Sequence, residues 1–137
     1  MIILKTLDEL RLMRESAQLV SKTLGMIATE IKPGVTTLHL DKLAHDFIKD
    51  HGGEPAFLGM YGFPNSLCIS PNEEVVHGIP KDIPLEEGDI LSVDCGVYMN
   101  GFYGDHAYSF EVGEVAPETK KLLQVTKESL YKGIEQC

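Results

Sequence analysis

From Thr6 onward, the apolar positions Leu10, Met13, Ala17, Val20, Leu24, Ile27 and Ile31 recur at alternating steps of three and four. That is the stripe of a helix packed along one side. Thr6 followed by Glu9 spells a capping box, and Pro33-Gly34 ends the pattern, which predicts one long helix over about residues 6–31. The stripe stays under four heptads, so packing on a domain core is preferred to a coiled-coil seam. A second helix follows. It is capped by Thr36 or Thr37, carries Leu40, Leu43, Ala44, Phe47 and Ile48, and is closed by Gly52-Gly53.

Beyond Gly53 the period changes from 3.6 to 2 and turn residues multiply. Strands are expected at Ser66–Ser70 and Glu74–His77, bounded by Phe63-Pro64-Asn65, Pro71-Asn72 and Gly78-Ile79-Pro80. A polar turn over Pro84–Asp89 leads into the clearest strand, Ile90–Met99. Asn100-Gly101 is the strongest hairpin dipeptide, and Phe102–Val112 returns from it. A third helix starts near Pro117 with Leu122, Leu123, Thr126, Leu130 and Ile134 on one face. No Gly, Asn or Pro closes it before Cys137, which leads us to expect that the polypeptide was cut from something longer. The 137 residues read as a single α/β unit with no internal repeat and no low-complexity linker.

Charge narrows the function. Twelve Lys and Arg stand against 21 Asp and Glu, a formal charge of -9, with no basic stripe. Such a surface repels phosphate backbones and anionic lipid, so neither nucleic acid nor membrane is an expected partner. The apolar opening Met1–Leu4 is too short for a signal sequence, and no run approaches the roughly 18 apolar residues of a membrane span. Cys68, Cys95 and Cys137 are odd in number and lack CxxC spacing, which fits reduced thiols in the cytoplasm.

The hairpin carries the candidate chemistry. With Asn100 and Gly101 as a two-residue loop, Gly96 faces Asp105 and Asp94 faces Ala107. Asp94 and Asp105 then share a sheet face as diagonal neighbours with backbones roughly 7–8 Å apart. Side chains at that spacing suit a pair of cations roughly 3.5–4 Å apart, and Gly96 leaves room between them. Ser92, Tyr98, Tyr103 and Ser109 lie on the same face. Leu91, Val93, Cys95, Val97, Phe102 and Phe110 form the opposite, core side. The competing reading is an ordinary solvated sheet face. Like charges held close call for a cation or solvent between them, which keeps the metal reading open. His77, at the end of an apolar strand, is either a structural residue or part of the site. Cys68 alternates within Leu67-Cys68-Ile69 and reads equally as core. HExxH, GxSxG, P-loop and GxGxxG motifs are absent, and oxygen ligands favour Mn, Fe(II) or Co over a thiolate zinc site.

Glu73-Glu74-Val75-Val76-His77-Gly78-Ile79-Pro80, Gly88-Asp89-Ile90-Leu91-Ser92-Val93-Asp94-Cys95-Gly96 and Asn100-Gly101-Phe102-Tyr103-Gly104-Asp105 together closely resemble the type I methionine aminopeptidases. The resemblance spans essentially the whole chain. It implies the N-terminal half of the pita-bread (creatinase/aminopeptidase) fold, an α/β (α+β) unit with an antiparallel-rich sheet and helices on one face. It further implies that Asp94 and Asp105 bind two divalent metal ions (Co, Mn, Fe or Zn), and that His77 contacts the substrate near the scissile peptide. Phe57, Met60, Phe63 and Cys68 would line the methionine pocket, although Phe57 and Met60 differ from common family choices. One more histidine and two glutamate ligands, with a second substrate-contacting histidine, belong to a C-terminal half that this chain lacks. The implied activity is release of the initiator methionine from nascent chains, with this half inactive alone and open to homodimerisation through its exposed edge. Competing readings are a prolidase or aminopeptidase P relative, which the HGIP context disfavours, and a non-catalytic pita-bread binding module.

Overall fold

The computed structural model describes residues 4–137; the first three residues of the apolar opening lie outside the described residues. Helix α1 (Leu7–Glu30) begins at Thr6, whose hydroxyl accepts the Glu9 N–H while Glu9 reaches back to the Thr6 N–H, so the capping box forms as its sequence requires. Helix α2 (Thr37–Asp50) is capped by the Thr36 hydroxyl on the His39 N–H. A two-residue strand β1 (Glu54–Pro55) and a short 3-10 turn (Met60–Gly62) follow. Strands β2 (Leu67–Pro71), β3 (Ile90–Met99) and β4 (Phe102–Glu111) and helix α3 (Pro117–Ile134) complete the chain.

The long β3 organises an antiparallel sheet. β1 and β2 pair with its two halves along one edge, at Glu54↔Tyr98 and Cys68↔Asp94, and β4 pairs along the other. Asn100 and Gly101 both hold positive φ, the conformation that a tight two-residue loop needs. The register is the expected one, with Gly96 opposite Asp105 and Asp94 opposite Ala107. α1 and α2 cover one sheet face. There Leu19, Val20, Leu24, Ile27, Leu40, Ala44 and Ile48 meet Leu67, Ile69, Leu91, Val93, Cys95 and Val97 in a single apolar core. α3 buries no residue and stands apart from that core.

Two expectations need correction. The buried stripe of α1 is Ser16, Leu19, Val20, Thr23, Leu24 and Ile27, while Leu10 is exposed. The cause is a close helix-to-sheet contact: a Cβ on Gly104 would lie 2.7 Å from the Ala17 backbone nitrogen, so the helix rests its backbone on β4 at this point. Ser16 faces the sheet there and donates to the carbonyls of Val97 and Phe102. The other correction is Glu74–His77, which forms no strand. Val75 and Val76 are largely exposed, so the apolar pair that suggested a strand belongs to a loop.

Candidate functional site

Strand alternation sets the site. Asp94 and Asp105 emerge from β3 and β4 on the face opposite the apolar core, since residues of one parity share a face and the register aligns the parities. Oδ1 of Asp94 is buried with no hydrogen-bond partner among the described residues. Burial first, and the Asp105 carboxylate second, push the Asp94 carboxyl up to about 6, while His77 pulls the other way. An unpartnered carboxylate oxygen beside a second carboxylate is the donor set of a hard or intermediate divalent cation, so these two residues fit the ions that the resemblance implied. Among the described residues, no three His, Cys, Asp or Glu side chains converge to hold an ion, so the two aspartates alone would be an incomplete ligand set.

The chain reaches this face through β1. Pro55 pairs with Val97 and the Ala56 N–H donates to the Gly96 carbonyl, which lays residue 57 over residue 96. A Cβ on Gly96 would stand 2.6 Å from the Phe57 ring, so the space expected between the aspartates is occupied by an aromatic side chain. Cys68, directly opposite Asp94 on β2, is buried, and burial with the Asp94 charge pushes its thiol up to about 11, holding it protonated.

His77 sits in the loop that leaves β2 and has a left-handed backbone, φ +57°, a conformation that costs a non-glycine residue about 1 kcal/mol or more. The loop is pinned on both sides. The Ile69 N–H donates to the Gly78 carbonyl and the Gly78 N–H donates to Ser70 Oγ. Further on, the Lys81 N–H donates to Thr37 Oγ1, and Lys81 pairs with Glu74. So the imidazole is held by a tethered loop rather than by a strand end.

An open cleft of about 940 Å³ brings together Cys68, Ser70, His77, Ser92, Asp94 and Ser109, with α3 forming another wall through residues such as Leu123 and Lys127. Asp105, Phe57, Met60 and Phe63 are not part of that lining. Phe57 and Phe63 are half-buried nearby in sequence, and Met60 is exposed. Two contributors escaped the reading of the sequence. Asp41, 7% exposed on the inner face of α2, accepts the N–H groups of Ser66 and Leu67 and the Asn65 side-chain amide, fixing the start of β2 and with it Cys68. Its signal was a charged residue between Leu40 and Ala44 on an apolar stripe. Ser70 had only its strand parity to mark it.

Comparison with known proteins gives a consistent picture. Residues 11–137 match the model of metallopeptidase family M24. A methionine aminopeptidase of Clostridium acetobutylicum is 53% identical, over all of this chain and 55% of its own length. Methionine aminopeptidase 1 of Bacillus subtilis is 48% identical over the same shares. The crystal structure of methionine aminopeptidase from Rickettsia prowazekii superposes with a TM-score of 0.96 at 44% identity, covering 98% of this chain and 54% of that one. The chain thus spans about half the length of the relatives it matches.

Proposed function

The chain belongs to metallopeptidase family M24, and from that premise we propose that it forms the N-terminal half of a metal-dependent methionyl aminopeptidase. The whole enzyme removes N-terminal methionine from peptides and nascent chains in the cytoplasm. The observation that carries this reading is the unpartnered, buried Oδ1 of Asp94 beside Asp105 on the open face of a sheet. Helices and β-hairpin follow the N-terminal half of the pita-bread fold, as in the Rickettsia enzyme.

In this proposal residues 1–137 are one α/β unit. Asp94 and Asp105 hold a pair of divalent ions, with the remaining ligands supplied by the other half. Their oxygen donors suit Mn, Fe(II) or Co. Ions held there supply Lewis-acid polarisation of the scissile carbonyl and activation of a water. His77, on its tethered loop lining the same cleft as Asp94, donates a hydrogen bond to the substrate peptide as charge develops on it. Phe57, Met60, Phe63 and Cys68 receive the methionine side chain, a use that suits soft apolar surface. The half alone is inactive, and its open edge pairs with a second copy.

The test is metal analysis beside kinetics in a full-length enzyme carrying this half. Asp94→Asn and Asp105→Asn are expected to lose bound metal and rate together, whereas His77→Ala loses rate with metal retained. Full metal occupancy and rate in Asp94→Asn would sink the proposal. Metal loss in His77→Ala equal to that of the aspartate variants would make His77 a ligand instead.

A further inference from the structure

The His77 side chain makes no hydrogen bond among the described residues, so its placement over the cleft rests on its backbone. That backbone is unusual, since φ at +57° is a conformation L side chains seldom adopt. Something outside the residue has to hold it. The neighbouring Gly78 is pressed against β2 so closely that a Cβ there would lie 2.2 Å from the Ile69 carbonyl oxygen. Both polar groups of Gly78 are engaged: its carbonyl accepts the Ile69 N–H at 2.9 Å, and its N–H donates to Ser70 Oγ at 3.0 Å. One bond alone leaves the peptide free to swivel about it. Two bonds from opposite ends of the same residue fix the planes of the 77–78 and 78–79 peptides, and so hold the peptide unit to which residue 77 is attached.

Of these two anchors, the Ile69 N–H is a backbone group that any residue supplies. The other depends on one side chain. Ser70 is 3% exposed, lies on the same face as Ser92 and Asp94, and is among the residues that line the cleft. Without it the Gly78 N–H, which is buried, has no acceptor, and leaving such a donor unpaired is costly enough that the loop shifts to let it reach water. The shift begins at the residue next to His77.

We propose that Ser70 is a positioning residue for His77: through the Gly78 N–H it anchors the 77–78 peptide from which the imidazole is carried at the cleft. The proposal rests on the reading of His77 as a group that contacts substrate.

The decisive experiment combines two readouts. In a full-length enzyme carrying this half, Gly78 amide hydrogen exchange measured by NMR should be slow in wild type and in Ser70→Thr, which keeps Oγ, and fast in Ser70→Ala. In a full-length enzyme, Ser70→Ala should lower kcat roughly 10- to 100-fold, with KM and metal content little changed, while Ser70→Thr recovers most of the rate. In a His77→Ala background, Ser70→Ala should cost nothing further, because the residue acts only through His77. If Ser70→Ala fails to fold, Ser70→Cys fills the same space with a poor acceptor and is read the same way. Unchanged Gly78 exchange overturns the proposal, as does a Ser70→Ala effect that multiplies in full with that of His77→Ala. An unchanged rate in His77→Ala overturns the substrate role and the proposal with it. A loss in His77→Ala with none in Ser70→Ala overturns the proposal alone.

Discussion

The Phe57 ring lies directly on Gly96: a Cβ built at residue 96 would stand 2.6 Å from Phe57 Cε1 and 3.0 Å from its Cζ. Gly96 sits two residues along β3 from Asp94 and opposite Asp105, so the ring covers the same stretch of sheet face that carries the two carboxylates. Ala56 is drawn in as well, at 3.1 Å from the same point. We therefore expect Gly96→Ala to displace the ring and to cost about 1–3 kcal/mol of folding stability, the usual effect of an added methyl in a packed place. Urea denaturation checks this. A variant as stable as the wild type would mean that the ring moves aside freely.

Asp94 makes the stability of the metal-free chain depend on pH. Its carboxyl is raised from 3.8 to about 6 in the fold. Between those values the folded chain binds more protons than the unfolded chain, so stability falls as pH rises through this window and stays lower above it. Asp94→Asn should remove that slope and be more stable than the wild type at pH 7. Because Asp94 is only half-buried, solvent reduces the gain to about 1–2 kcal/mol. Denaturation midpoints of the wild type and Asp94→Asn at several pH values from 4 to 7 decide it, and identical pH profiles for the two would contradict a raised Asp94 carboxyl.

What was legible in the sequence was periodic or locally signalled. The capping box at Thr6 and Glu9, the Asn100-Gly101 turn and the parity that places Asp94 and Asp105 on one face all follow from neighbours in sequence. What was hidden depends on distant partners. The contact of α1 with Gly104 rotates the buried stripe, and no residue of α1 announces it. Val75 and Val76 looked like strand because β propensity is blind to exposure. Asp41 and Ser70 act on backbone N–H groups that only the tertiary fold brings to them.

Asp41 offers a sharp test of such a hidden residue. Asp41→Ala leaves the buried N–H groups of Ser66 and Leu67 and the Asn65 amide without their acceptor. The expected cost is about 3 kcal/mol or more. Loosening the start of β2 should also open Cys68, now 6% exposed, to alkylation by a thiol reagent. Cys137 is exposed in either case and serves as the internal reference. Unaltered labelling of Cys68 would show that Asp41 does not hold this strand.

Catalysis by the isolated chain is expected to be negligible. Among the described residues the aspartates find no third metal-binding partner. With Mn or Co added, hydrolysis of Met-Ala-Ser should stay far below about 1 per second, the lower end of ordinary enzyme turnover. Turnover at or above that rate would mean that two carboxylates suffice, or that a second copy completes the set.

The outer edge of β4 bears on whether a second copy binds at all. β4 is ten residues long and, among the described residues, has β3 as its strand partner on one side and none on the other. Its free N–H and C=O groups are a template for a further strand. Beside the same cleft, α3 exposes Leu122, Val125, Leu130, Tyr131 and Ile134. Both features favour association, and a two-fold pairing of identical patches is the commonest way for one chain to satisfy them. The formal charge of -9 opposes it, since each copy repels the other. Salt screens that repulsion while leaving backbone pairing and apolar burial in place. We therefore expect the 137-residue chain to form dimers or larger assemblies at micromolar concentration, and more so at 0.5 M salt than at 0.05 M. Light scattering across that range is the measurement. A monomer of 15.1 kDa at both salt concentrations would show that neither the edge nor the helix face is sticky enough to overcome the charge.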